Sequence, residues 1–440
     1  MTKDLIARYG RRLPRYTSYP TAPHFHDGIG GEVYGTWLDA LAADEPLSLY
    51  LHVPFCDSLC WYCGCHTKVV NRYAPIAGYL ADLIDEIALV ADRLGTRHPV
   101  THIHLGGGSP TVLRPDDLEL LGDVLRERFE INDDAEIAIE VDPRGLRSAT
   151  VAALRAIGIN RVSLGLQDIN PTVQMAINRF QPPATNRDAV TMVRDAGIKD
   201  LNLDLMYGLP RQTLECVLAT VDHALTLKPD RIALFGYAHV PTMKRHQRLI
   251  PKAALPDAAA RLQQSEAAAR QLVDAGFVRI GFDHFARPED PMAQAATGRG
   301  LQRNFQGYST DVSETLLGFG ASSIGTLRQG YVQNATDVGS WRDNVRRGAL
   351  PTARGIALTQ DDRRRRAIIN DLMCHLSTTL VSGEFETERQ MLAQCEADGL
   401  VRLNGDTVCI TERGRPLVRN IASAFDAHLS QTGARHAQAI

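Results

Sequence analysis

The chain has 440 residues, of which 44% are hydrophobic, and its formal net charge is -3. This length is sufficient for one large domain and one smaller domain. The near-neutral charge gives no reason to expect nucleic acid or a membrane surface as a partner. The N-terminus "MTKDLIARYGRRLPRY" lacks an apolar signal core, and no run of 18 uncharged apolar residues occurs. We therefore expect a cytoplasmic protein without a transmembrane helix.

Residues 1–45 are predicted to form an N-terminal arm and a lead-in to the main domain. The arm combines cations with aromatic residues: Arg11, Arg12, Arg15, Tyr16 and Tyr19. A terminal segment of this kind is more often a solvated tail. Its apolar, aromatic and proline content favours instead a segment laid across the mouth of the following domain.

Four cysteines lie close together in "HVPFCDSLCWYCGCH", residues 52–66, with the spacing C-x3-C-x2-C-x-C: Cys56, Cys60, Cys63 and Cys65. In a cytosolic chain such a group more often binds a metal than forms disulfides. Zinc sites usually need two separated ligand pairs. His52 and His66 flank the cysteines and could complete a zinc shell, so zinc remains an alternative.

The C-x3-C-x2-C part of this loop suits an iron–sulfur cluster. Three thiolates from one short loop can hold three corners of a [4Fe–4S] cube and leave the fourth iron open. We predict Cys56, Cys60 and Cys63 as the ligands. Cys65, only two residues beyond Cys63, is predicted not to be a ligand. The spacing resembles that of the radical S-adenosylmethionine superfamily, in which this cofactor binds the open iron.

Six short apolar strands alternate with amphipathic helical patterns and indicate a parallel sheet within residues 46–345. The strands are predicted at 48–53, 101–107, 136–142, 160–166, 200–206 and 231–237. Both an open doubly wound sheet and a partial barrel are compatible with six βα units in series. Each predicted strand is followed by polar or glycine residues, which favours a partial (βα)6 barrel that opens onto one cavity.

The residues at the predicted rim also have structural interpretations. The glycines of "GGGSPT", residues 106–111, could form a tight turn or bring backbone amides close to a ligand. Glu140 could be an ordinary carboxylate at the end of a strand. Asp204 lies in an otherwise apolar strand, where an unpartnered carboxylate is costly, so we favour a ligand contact. Arg179 would by itself be read as a solvated helix residue.

The last segment, residues 346–440, is predicted to be a mainly helical domain that covers the barrel. The stretch "EADGLVRLNGDTVCITERGRPLVRNIASAF" indicates a helix, a hairpin with an Asn-Gly turn and a second helix, which is similar to a winged helix. Four consecutive arginines, residues 363–366, could contact phosphate in a DNA-binding module. We favour a solvated basic helix start, because the hairpin tip is acidic.

Motifs along nearly the whole chain resemble the oxygen-independent coproporphyrinogen III oxidases, a radical S-adenosylmethionine family of bacterial haem synthesis. They are "PRYTSYPTA", "LYLHVPFC", "CGC", "IEVDPR", "LGLQD", "NLDLMYGLPRQT", "YAHVPT", "DHFARP" and "RNFQGY". The departures are small: Ser109 replaces the more usual threonine and Tyr62 the more usual phenylalanine. The resemblance implies a radical-SAM partial barrel with an N-terminal arm and a helical C-terminal domain.

The resemblance also implies a [4Fe–4S] cluster and two S-adenosylmethionine molecules per chain. The cluster-bound molecule would contact Tyr50, Tyr62, Gly107, Glu140 and Ile324. The second molecule would contact Gly108, Ser109, Gln167, Arg179, Asp204 and Ala238. The catalytic residues would be the three cysteine ligands and Tyr50.

The implied reaction is the oxygen-independent conversion of the ring A and ring B propionates of coproporphyrinogen III to vinyl groups, which gives protoporphyrinogen IX and two carbon dioxide molecules. A 5′-deoxyadenosyl radical would abstract a hydrogen from each propionate. Arginines suit the binding of the substrate carboxylates, and the arm, His284, Arg287 and Arg303 are candidates. The implied electron donor is a small protein such as a flavodoxin or ferredoxin, and we expect a monomer.

Two other functions are compatible with parts of this pattern. A haem-binding chaperone derived from the same family keeps the three cysteines, but it typically lacks the arm and has phenylalanine at the position of Cys65. A zinc-stabilised winged-helix regulator would explain the cysteines and the C-terminal segment. The six strands that end at one rim argue against the regulator.

Overall fold

The computed structural model describes residues 3–429 and begins with the arm. Two helices, α1 (Lys3–Tyr9) and α2 (Gly31–Asp39), precede the main sheet. The first half of the main domain then contains, in chain order, β1 (Leu47–Val53), β2 (Phe55–Cys56), β3 (Lys68–Val69), α3 (Ala74–Leu94), β4 (Pro99–Gly107), α4 (Pro115–Arg128), β5 (Glu130–Val141), α5 (Ser148–Ala156), β6 (Arg161–Gln167), α6 (Pro171–Ala176), α7 (Pro183–Asp195), β7 (Asp200–Tyr207), α8 (Leu214–Thr226) and β8 (Arg231–Gly236).

The second half of the main domain contains helices and further strands, most of which extend the sheet at its two edges. In chain order its elements are α9 (Ala258–Asp274), β9 (Val278–Ile280), β10 (His284–Ala286), α10 (Pro291–Gly298), β11 (Gln302–Asn304), β12 (Gly307–Ser309), β13 (Thr315–Phe319), β14 (Ile324–Leu327), β15 (Gly330–Asn334), α11 (Val338–Arg346) and β16 (Thr352–Ala357). The remaining elements are α12 (Gln360–His375), β17 (Ser377–Thr379), α13 (Glu386–Ala397), β18 (Val401–Asn404), β19 (Thr407–Ile410) and α14 (Val418–Ala422).

The centre of the fold is a 12-stranded sheet in the order β16-β15-β14-β13-β1-β4-β5-β6-β7-β8-β10-β9. The run from β1 through β8 is parallel, as predicted. Its six strands match the predicted ones to within two residues at each end, except that β5 begins six residues before the predicted start. The sequence did not predict the other six strands. Strand β13 pairs parallel to β1, and the outer strands are antiparallel. Local periodicity does not reveal which distant segment covers an open sheet edge.

Apolar residues hold the helices against the outside of this sheet. In α3, the buried face includes Ile76, Leu80, Leu83 and Ile87, which recur at helical spacing. The helix ends at Gly95, whose φ of 72° places it in the left-handed region that glycine tolerates. In β1, every residue except Tyr50 is buried. The outer layer therefore supplies the hydrophobic core, and the inner face of the sheet is left for polar residues.

A buried ion-pair network lies at the start of the parallel strands, away from the cysteine loop. Arg161 and Arg231 are the first residues of β6 and β8. Arg161 lies 3.0 Å from Glu136, and Arg231 Nε lies 2.8 Å from Asp290. Because breaking a buried pair leaves an uncompensated charge, the network ties neighbouring strands together at this end of the barrel.

The arm packs mainly on the C-terminal segment. Leu5, Tyr9, Tyr16 and Tyr19 are buried in the same apolar cluster as residues of α12 and α14. The Tyr9 hydroxyl donates a hydrogen bond of 2.8 Å to Asp398. These contacts make the arm part of a folded core, and the reading as a solvated tail does not fit them.

The C-terminal segment contains the predicted hairpin. Strands β18 and β19 pair antiparallel around Gly405, and β17 completes a three-stranded sheet beside the helices. The arginines that begin α12 contact protein groups: Arg365 binds Asp361 and Glu388, and Arg366 lies over the Tyr331 ring. The division at residues 45 and 345 stays a prediction. Strand β16 lies beyond the second boundary and still pairs with β15.

A buried glutamate joins α3 to the added strands. Glu86 is 1% exposed. It accepts hydrogen bonds from the Gly320 amide at 2.7 Å, the Trp341 indole at 2.9 Å and the Asn334 side chain. Burial nevertheless raises the pKa of Glu86 from 4.5 to about 7.

This pKa predicts a loss of stability at neutral and alkaline pH. The folded state binds the Glu86 proton more tightly than the unfolded state, so folding is favoured below pH 4.5 and this advantage is lost as the pH rises through about 7. We expect the fall in free energy of unfolding between pH 5 and pH 8 to be larger in the wild type than in Glu86→Gln, by at most roughly 3 kcal/mol. Denaturant titrations of both proteins measure this, and equal pH slopes would contradict the assignment.

Candidate active site

The cysteine loop follows β1 at the carboxyl end of the parallel strands. A short 3-10 helix, Arg245–Leu249, and the residue before it clamp the loop through its carbonyl oxygens. His246 Nε2 lies 2.7 Å from the Cys63 carbonyl oxygen, and Lys244 Nζ lies 2.8 Å from that of Cys65. The Gln247 side chain donates to the Tyr62 carbonyl at 3.0 Å. The loop is thus held in place by the segment after β8.

The three predicted cluster ligands have different electrostatic surroundings. Burial, together with the nearby Cys63 and Cys60, raises the pKa of Cys56 to about 12. Hydrogen bonds from Cys65 lower the pKa of Cys63 to about 6. The Cys65 amide lies 3.4 Å from the Cys63 sulfur. Negative charge on Cys63 and Cys60 therefore disfavours a thiolate at Cys56, and bound iron would relieve this repulsion.

Two arginines donate to the sulfur of Cys60. Arg144 Nη2 lies 3.4 Å from it and Arg179 Nη1 lies 3.5 Å from it. Both guanidinium groups also bind the Asp142 carboxylate, at 2.6 Å and 3.1 Å. Burial opposes the charge on Asp142, but Arg179 and Arg144 hold its pKa below the usual value. The two guanidinium groups thus link the Cys60 sulfur to the end of β5 through Asp142.

The zinc alternative does not fit the surroundings of His52. Its Nδ1 lies 2.9 Å from the Tyr50 hydroxyl, and its Nε2 lies 3.1 Å from the His66 carbonyl oxygen. Both ring nitrogens are therefore occupied. Within residues 3–429, no group of three or more His, Cys, Asp or Glu side chains is arranged to hold a single metal ion. The corners of an iron–sulfur cube are separate irons, so this result does not bear on a cluster.

The glycine segment after β4 owes its composition to close packing. A Cβ on Gly107, whose φ is 110°, would lie 2.6 Å from the His52 ring, and a Cβ on Gly108 would collide with the Phe55 carbonyl. The amides of Gly107, Gly108 and Ser109 donate to Glu140, Val53 and Phe55, respectively. These amides are thus already bonded within the protein, and the predicted ligand contacts of this segment rest on the resemblance alone.

Glu140 and its neighbours make the inner face of the barrel polar. The Glu140 carboxylate lies 3.4 Å from His104 Nε2 and accepts the Gly107 amide at 3.0 Å. Burial alone would raise its pKa, but these partners hold the pKa below the usual range. The Tyr50 ring stacks on His104 at a centroid distance of 5.9 Å. The Glu140 side chain is still 42% exposed, so it faces an open lumen.

Asp204 lies on β7 and also faces this lumen. Its carboxylate accepts hydrogen bonds from Ser163 at 3.1 Å and from Asn202 at 2.8 Å. Burial and the charge of Glu140 raise the pKa of Asp204 to about 6. The carboxylate therefore has protein partners, and it still changes its charge near neutral pH.

The remaining predicted residues lie near the same end of the sheet. Gln167 is the last residue of β6 and has a φ of 65°. Ile324 begins β14 and lies against Gly318, which pairs with Tyr50. Ala238 follows β8 and lines a small rim cavity. The predicted set therefore surrounds one region, although the predicted ligand contacts themselves stay predictions.

Sequence reasoning missed several residues of this region. Arg144 belongs to the motif "IEVDPR", which does not indicate a role for it, and His104 lies within the predicted strand at 101–107. His104 could have been found because it is a polar residue at an alternate position of an apolar strand, as His52 is in β1. Nothing in the local sequence indicates that Arg144 turns back onto Cys60 or that His246 contacts the cysteine loop.

Comparison with known proteins places the chain in a family. The model of the radical SAM superfamily matches residues 50–224. The oxygen-independent coproporphyrinogen III oxidase of Bradyrhizobium diazoefficiens is 49% identical and aligns over 100% of both chains. The enzyme of the same name from Salmonella typhimurium is 40% identical, with 97% of this chain and 95% of the relative covered. The chain belongs to the oxygen-independent coproporphyrinogen III oxidases.

The predicted fold class is confirmed by a solved member of this family. The coproporphyrinogen III oxidase from Escherichia coli, described as a radical SAM enzyme, is 38% identical and superposes with a TM-score of 0.90. The match covers 95% of this chain and 100% of the other. The fold is therefore the radical-SAM partial barrel. Family membership also sets aside the zinc-stabilised regulator.

Membership of the radical SAM superfamily implies a [4Fe–4S] cluster and S-adenosylmethionine. The donor set in the cysteine loop fits a cluster, because it offers three thiols from one short loop, Cys56 and Cys63 are only partly buried, and Cys60 accepts from two guanidinium groups. Hydrogen bonds to cluster sulfurs are an ordinary means of tuning such centres.

We expect the cysteines to separate into three ligands and one neighbour. Anaerobically purified wild type should contain about four irons and four sulfides. Cys60→Ala should lose the cluster, because one corner has no ligand. Cys65→Ser should keep it, because the Cys65 amide that contacts Cys63 is retained. Iron and sulfide analysis with visible spectroscopy measures this.

A matched loss of iron in Cys65→Ser and Cys60→Ala would show the three-ligand assignment to be wrong. Stoichiometric zinc without sulfide in the wild type would exclude the cluster altogether. The spectral change on addition of S-adenosylmethionine provides a second measure. It should persist in Cys65→Ser, because the open iron is unaffected.

Proposed function

We propose that the protein converts the ring A and ring B propionates of coproporphyrinogen III to vinyl groups without oxygen, giving protoporphyrinogen IX. This proposal rests on the full-length similarity to relatives named coproporphyrinogen III oxidase. It is also supported by a cysteine loop that opens onto a polar barrel lumen. Each propionate loses one hydrogen atom, one carbon dioxide and one electron. The electron passes to an acceptor outside the protein.

The cluster would be held by Cys56, Cys60 and Cys63, with Arg144 and Arg179 donating to the Cys60 sulfur. When bound, the cluster and S-adenosylmethionine supply one-electron reduction and a carbon radical capable of hydrogen abstraction. The protein itself has to position an unactivated C–H bond and keep water away from the reacting atoms. The arm and the C-terminal segment, packed together through Tyr16 and Tyr19, are suited to cover the lumen.

The direct test is an anaerobic assay with reconstituted protein, S-adenosylmethionine, a reductant and coproporphyrinogen III. Formation of protoporphyrinogen IX with release of two carbon dioxide molecules is expected. Cleavage of S-adenosylmethionine without any vinyl product would refute the proposed substrate. A protein that binds haem and gives no product would instead support the chaperone.

The proposal includes two S-adenosylmethionine molecules per chain, one for each decarboxylation. Asp204 supports a second position, because its carboxylate lies on the inner face of the barrel and burial with the charge of Glu140 raises its pKa to about 6. The other polar side chains assigned to that position are those of Ser109, Gln167 and Arg179.

Asp204→Ala is expected to fold and to keep its iron. Turnover should fall at least tenfold, because a charge-assisted hydrogen bond to the second molecule is removed. In the wild type, turnover should also fall as the pH drops below about 6, where Asp204 takes up a proton. Asp204→Asn keeps the shape of the side chain and removes its charge, so it separates the effect of the charge from the effect of losing the side chain. Unchanged turnover and pH profile in both variants would make Asp204 structural.

The proposal also includes a small reductant protein such as a flavodoxin or ferredoxin. A surface cavity of about 240 Å³ beside the cysteine loop supports an acidic partner. Its basic lining residues are Lys68, Lys244 and Arg245, although the chain as a whole is slightly acidic. One acid, Asp337, lies near Lys68. Positive surfaces speed the encounter with negatively charged proteins.

Charge reversal at this surface should slow reduction by an acidic protein donor. Lys68→Glu and Arg245→Glu should reduce the rate roughly tenfold at low ionic strength, and the difference should shrink at high salt. Reduction by dithionite should not change. Lys199→Glu, located just before β7 at the opposite end of the barrel, is the matched control. Equal rates in all three variants would exclude this surface.

Oligomeric state and cell compartment remain predictions. No helix among residues 3–429 is both long and apolar enough to cross a bilayer. We propose a cytoplasmic monomer. Size-exclusion chromatography with light scattering of the anaerobic holoenzyme tests whether the protein is monomeric.

A further inference from the structure

The end of β6 contains a strained turn. Gln167, the last residue of the strand, has a φ of 65°, and the Asp168 amide donates a hydrogen bond of 2.9 Å to the Leu166 carbonyl oxygen. This bond encloses Gln167 in a γ-turn with a positive φ, a form that is rare and strained. Such strain persists only where the surrounding structure fixes it, and it is concentrated at ligand sites. Both the support of the turn and its use therefore need an explanation.

Buried side chains support the turn through the residue that follows it. Asp168 is 1% exposed. Its carboxylate accepts hydrogen bonds from the Asn170 amide at 2.6 Å and from the Gln212 side chain at 2.7 Å. Its carbonyl oxygen accepts a third hydrogen bond, of 2.8 Å, from the Gln174 side chain. Because hydrogen bonds to a carboxylate are strong in a poorly solvated place, they hold Asp168 and so prevent Gln167 from relaxing.

Gln212 connects this support to the end of β7. Its Nε2 also donates to the Met206 carbonyl at 2.7 Å, and its Oε1 accepts the Leu209 amide at 3.0 Å. Gln264 of α9 donates to the Gln212 carbonyl at 2.9 Å and accepts the Gly208 amide at 3.0 Å. The Gln212 side chain is thus fully occupied within the protein. Its contribution is to fix the ends of β6 and β7 relative to one another.

The Gln167 side chain is held differently from its supports. Among the residues that the structure describes, its amide group has no hydrogen-bond partner. A Cβ on Gly165 would lie 2.8 Å from Gln167 Nε2 and 3.0 Å from Arg179 Nη2. The two side chains therefore lie beside one another in the space that a side chain at position 165 would need. Arg179 Nη2 also donates to the Gly165 carbonyl at 2.6 Å.

Arg179 is positioned by the same group of buried amides. Its backbone amide donates to the Gln174 carbonyl at 2.9 Å. The Gln174 side chain binds both backbone groups of Gln181, whose own side chain donates to the Gly165 carbonyl at 3.1 Å. Arg179 is 6% exposed, and its Nε has no hydrogen-bond partner among the described residues. An unpaired buried donor is costly, so Arg179 retains the capacity to bind a ligand.

We propose that Gly165, Asp168 and Gln212 are positioning residues that hold the unpaired amide of Gln167 beside Arg179 for the second S-adenosylmethionine. The proposal rests on the proposed function, which assigns Gln167 and Arg179 to that molecule. Gly165 provides the space for the two side chains. Asp168 and Gln212 keep the backbone of Gln167 in its strained conformation. A residue other than glycine is retained at this positive φ because its amide is needed at that point.

The first test uses Gly165→Ala in the anaerobic holoenzyme, with the cluster oxidised so that the cofactor is not cleaved. Equilibrium dialysis with S-adenosylmethionine should find two molecules per chain in the wild type. The added Cβ meets only the ends of the Gln167 and Arg179 side chains, so the variant should fold. It should bind the second molecule roughly 10- to 100-fold more weakly, because both contacts are displaced. Gly78→Ala, whose Cβ would meet no atom within 4 Å, is the matched control.

The second test examines the hydrogen bond between Gln212 and Asp168. Gln212→Glu removes the donor and should weaken the second molecule roughly tenfold. Adding Asp168→Asn reverses the direction of the hydrogen bond, because the new amide can donate to the new carboxylate. The double variant should therefore recover part of the lost affinity. Loss of this bond, and not general damage, would then be the cause.

Gln167→Gly separates positioning from stability. Glycine tolerates the positive φ, so the midpoint of thermal unfolding should equal or exceed that of the wild type. The second S-adenosylmethionine should nevertheless be weakened, because the amide is missing. Iron content and the spectral change caused by the first molecule should be retained in all these variants. A purely structural turn would change the midpoint and leave the affinity for the second molecule as it is.

Unchanged affinity for the second molecule in folded, iron-replete Gly165→Ala and Gln212→Glu would overturn the positioning role. A wild type that binds a single molecule per chain would refute the second position and this inference with it. Formation of the vinyl product by the same preparation would still uphold the proposed reaction. Conversely, a wild type that binds two molecules and forms no vinyl product would refute the reaction, and the dialysis comparison would still decide the positioning role.

Discussion

One partly buried carboxylate links the cysteine loop to the end of β5 and to the segment after α6. Asp142, just after β5, holds Arg144 at 2.6 Å and Arg179 at 3.1 Å, and both guanidinium groups reach the Cys60 sulfur. The strand end, the segment after α6 and the cysteine loop are thereby joined through charge-assisted hydrogen bonds in a poorly solvated place, where such bonds are strong. Removal of Asp142 would leave two desolvated cations beside the thiols. The same contacts can set the electronic properties of a bound cluster, because hydrogen bonds to sulfur shift its reduction potential.

The two faces of the barrel sheet carry different kinds of side chain. The helices cover the outside with apolar side chains, whereas the inside carries Tyr50, His104, Glu140 and Asp204. A lumen lined in this way can hold polar cofactors while the hydrophobic core remains complete behind it. Ion pairs at the strand starts, centred on Arg161 and Arg231, join strands at one end. The opposite end is open to the arm and the C-terminal segment, and these come together around the small rim cavity lined by Arg15, Arg261 and Arg419.

The glycine segment shows that one residue pattern can have two physical causes. The three glycines at the end of β4 are compatible in sequence with a tight turn or with amides presented to a ligand. In the structure the amides of Gly107 and Gly108 are bonded to Glu140 and Val53, and missing Cβ atoms make room for His52 and Phe55. The arginines of the C-terminal segment give a similar lesson. Arg365 and Arg366 contact protein groups, and Arg419 lies over the Phe282 ring and lines the rim cavity.

The sequence by itself determined the local features. Periodicity located the six parallel strands to within a few residues, and cysteine spacing indicated the kind of centre, because both signals lie within short segments. Tertiary structure alone decided which distant segments meet. It placed the four strands from β13 through β16 on the β1 side of the sheet and brought Arg144 and Arg179 to Cys60. It also brought Arg15, Arg261 and Arg419 to one cavity. The physical reason is that a hydrophobic pattern records whether a residue is buried, and the partner that buries it is chosen by packing of the whole chain.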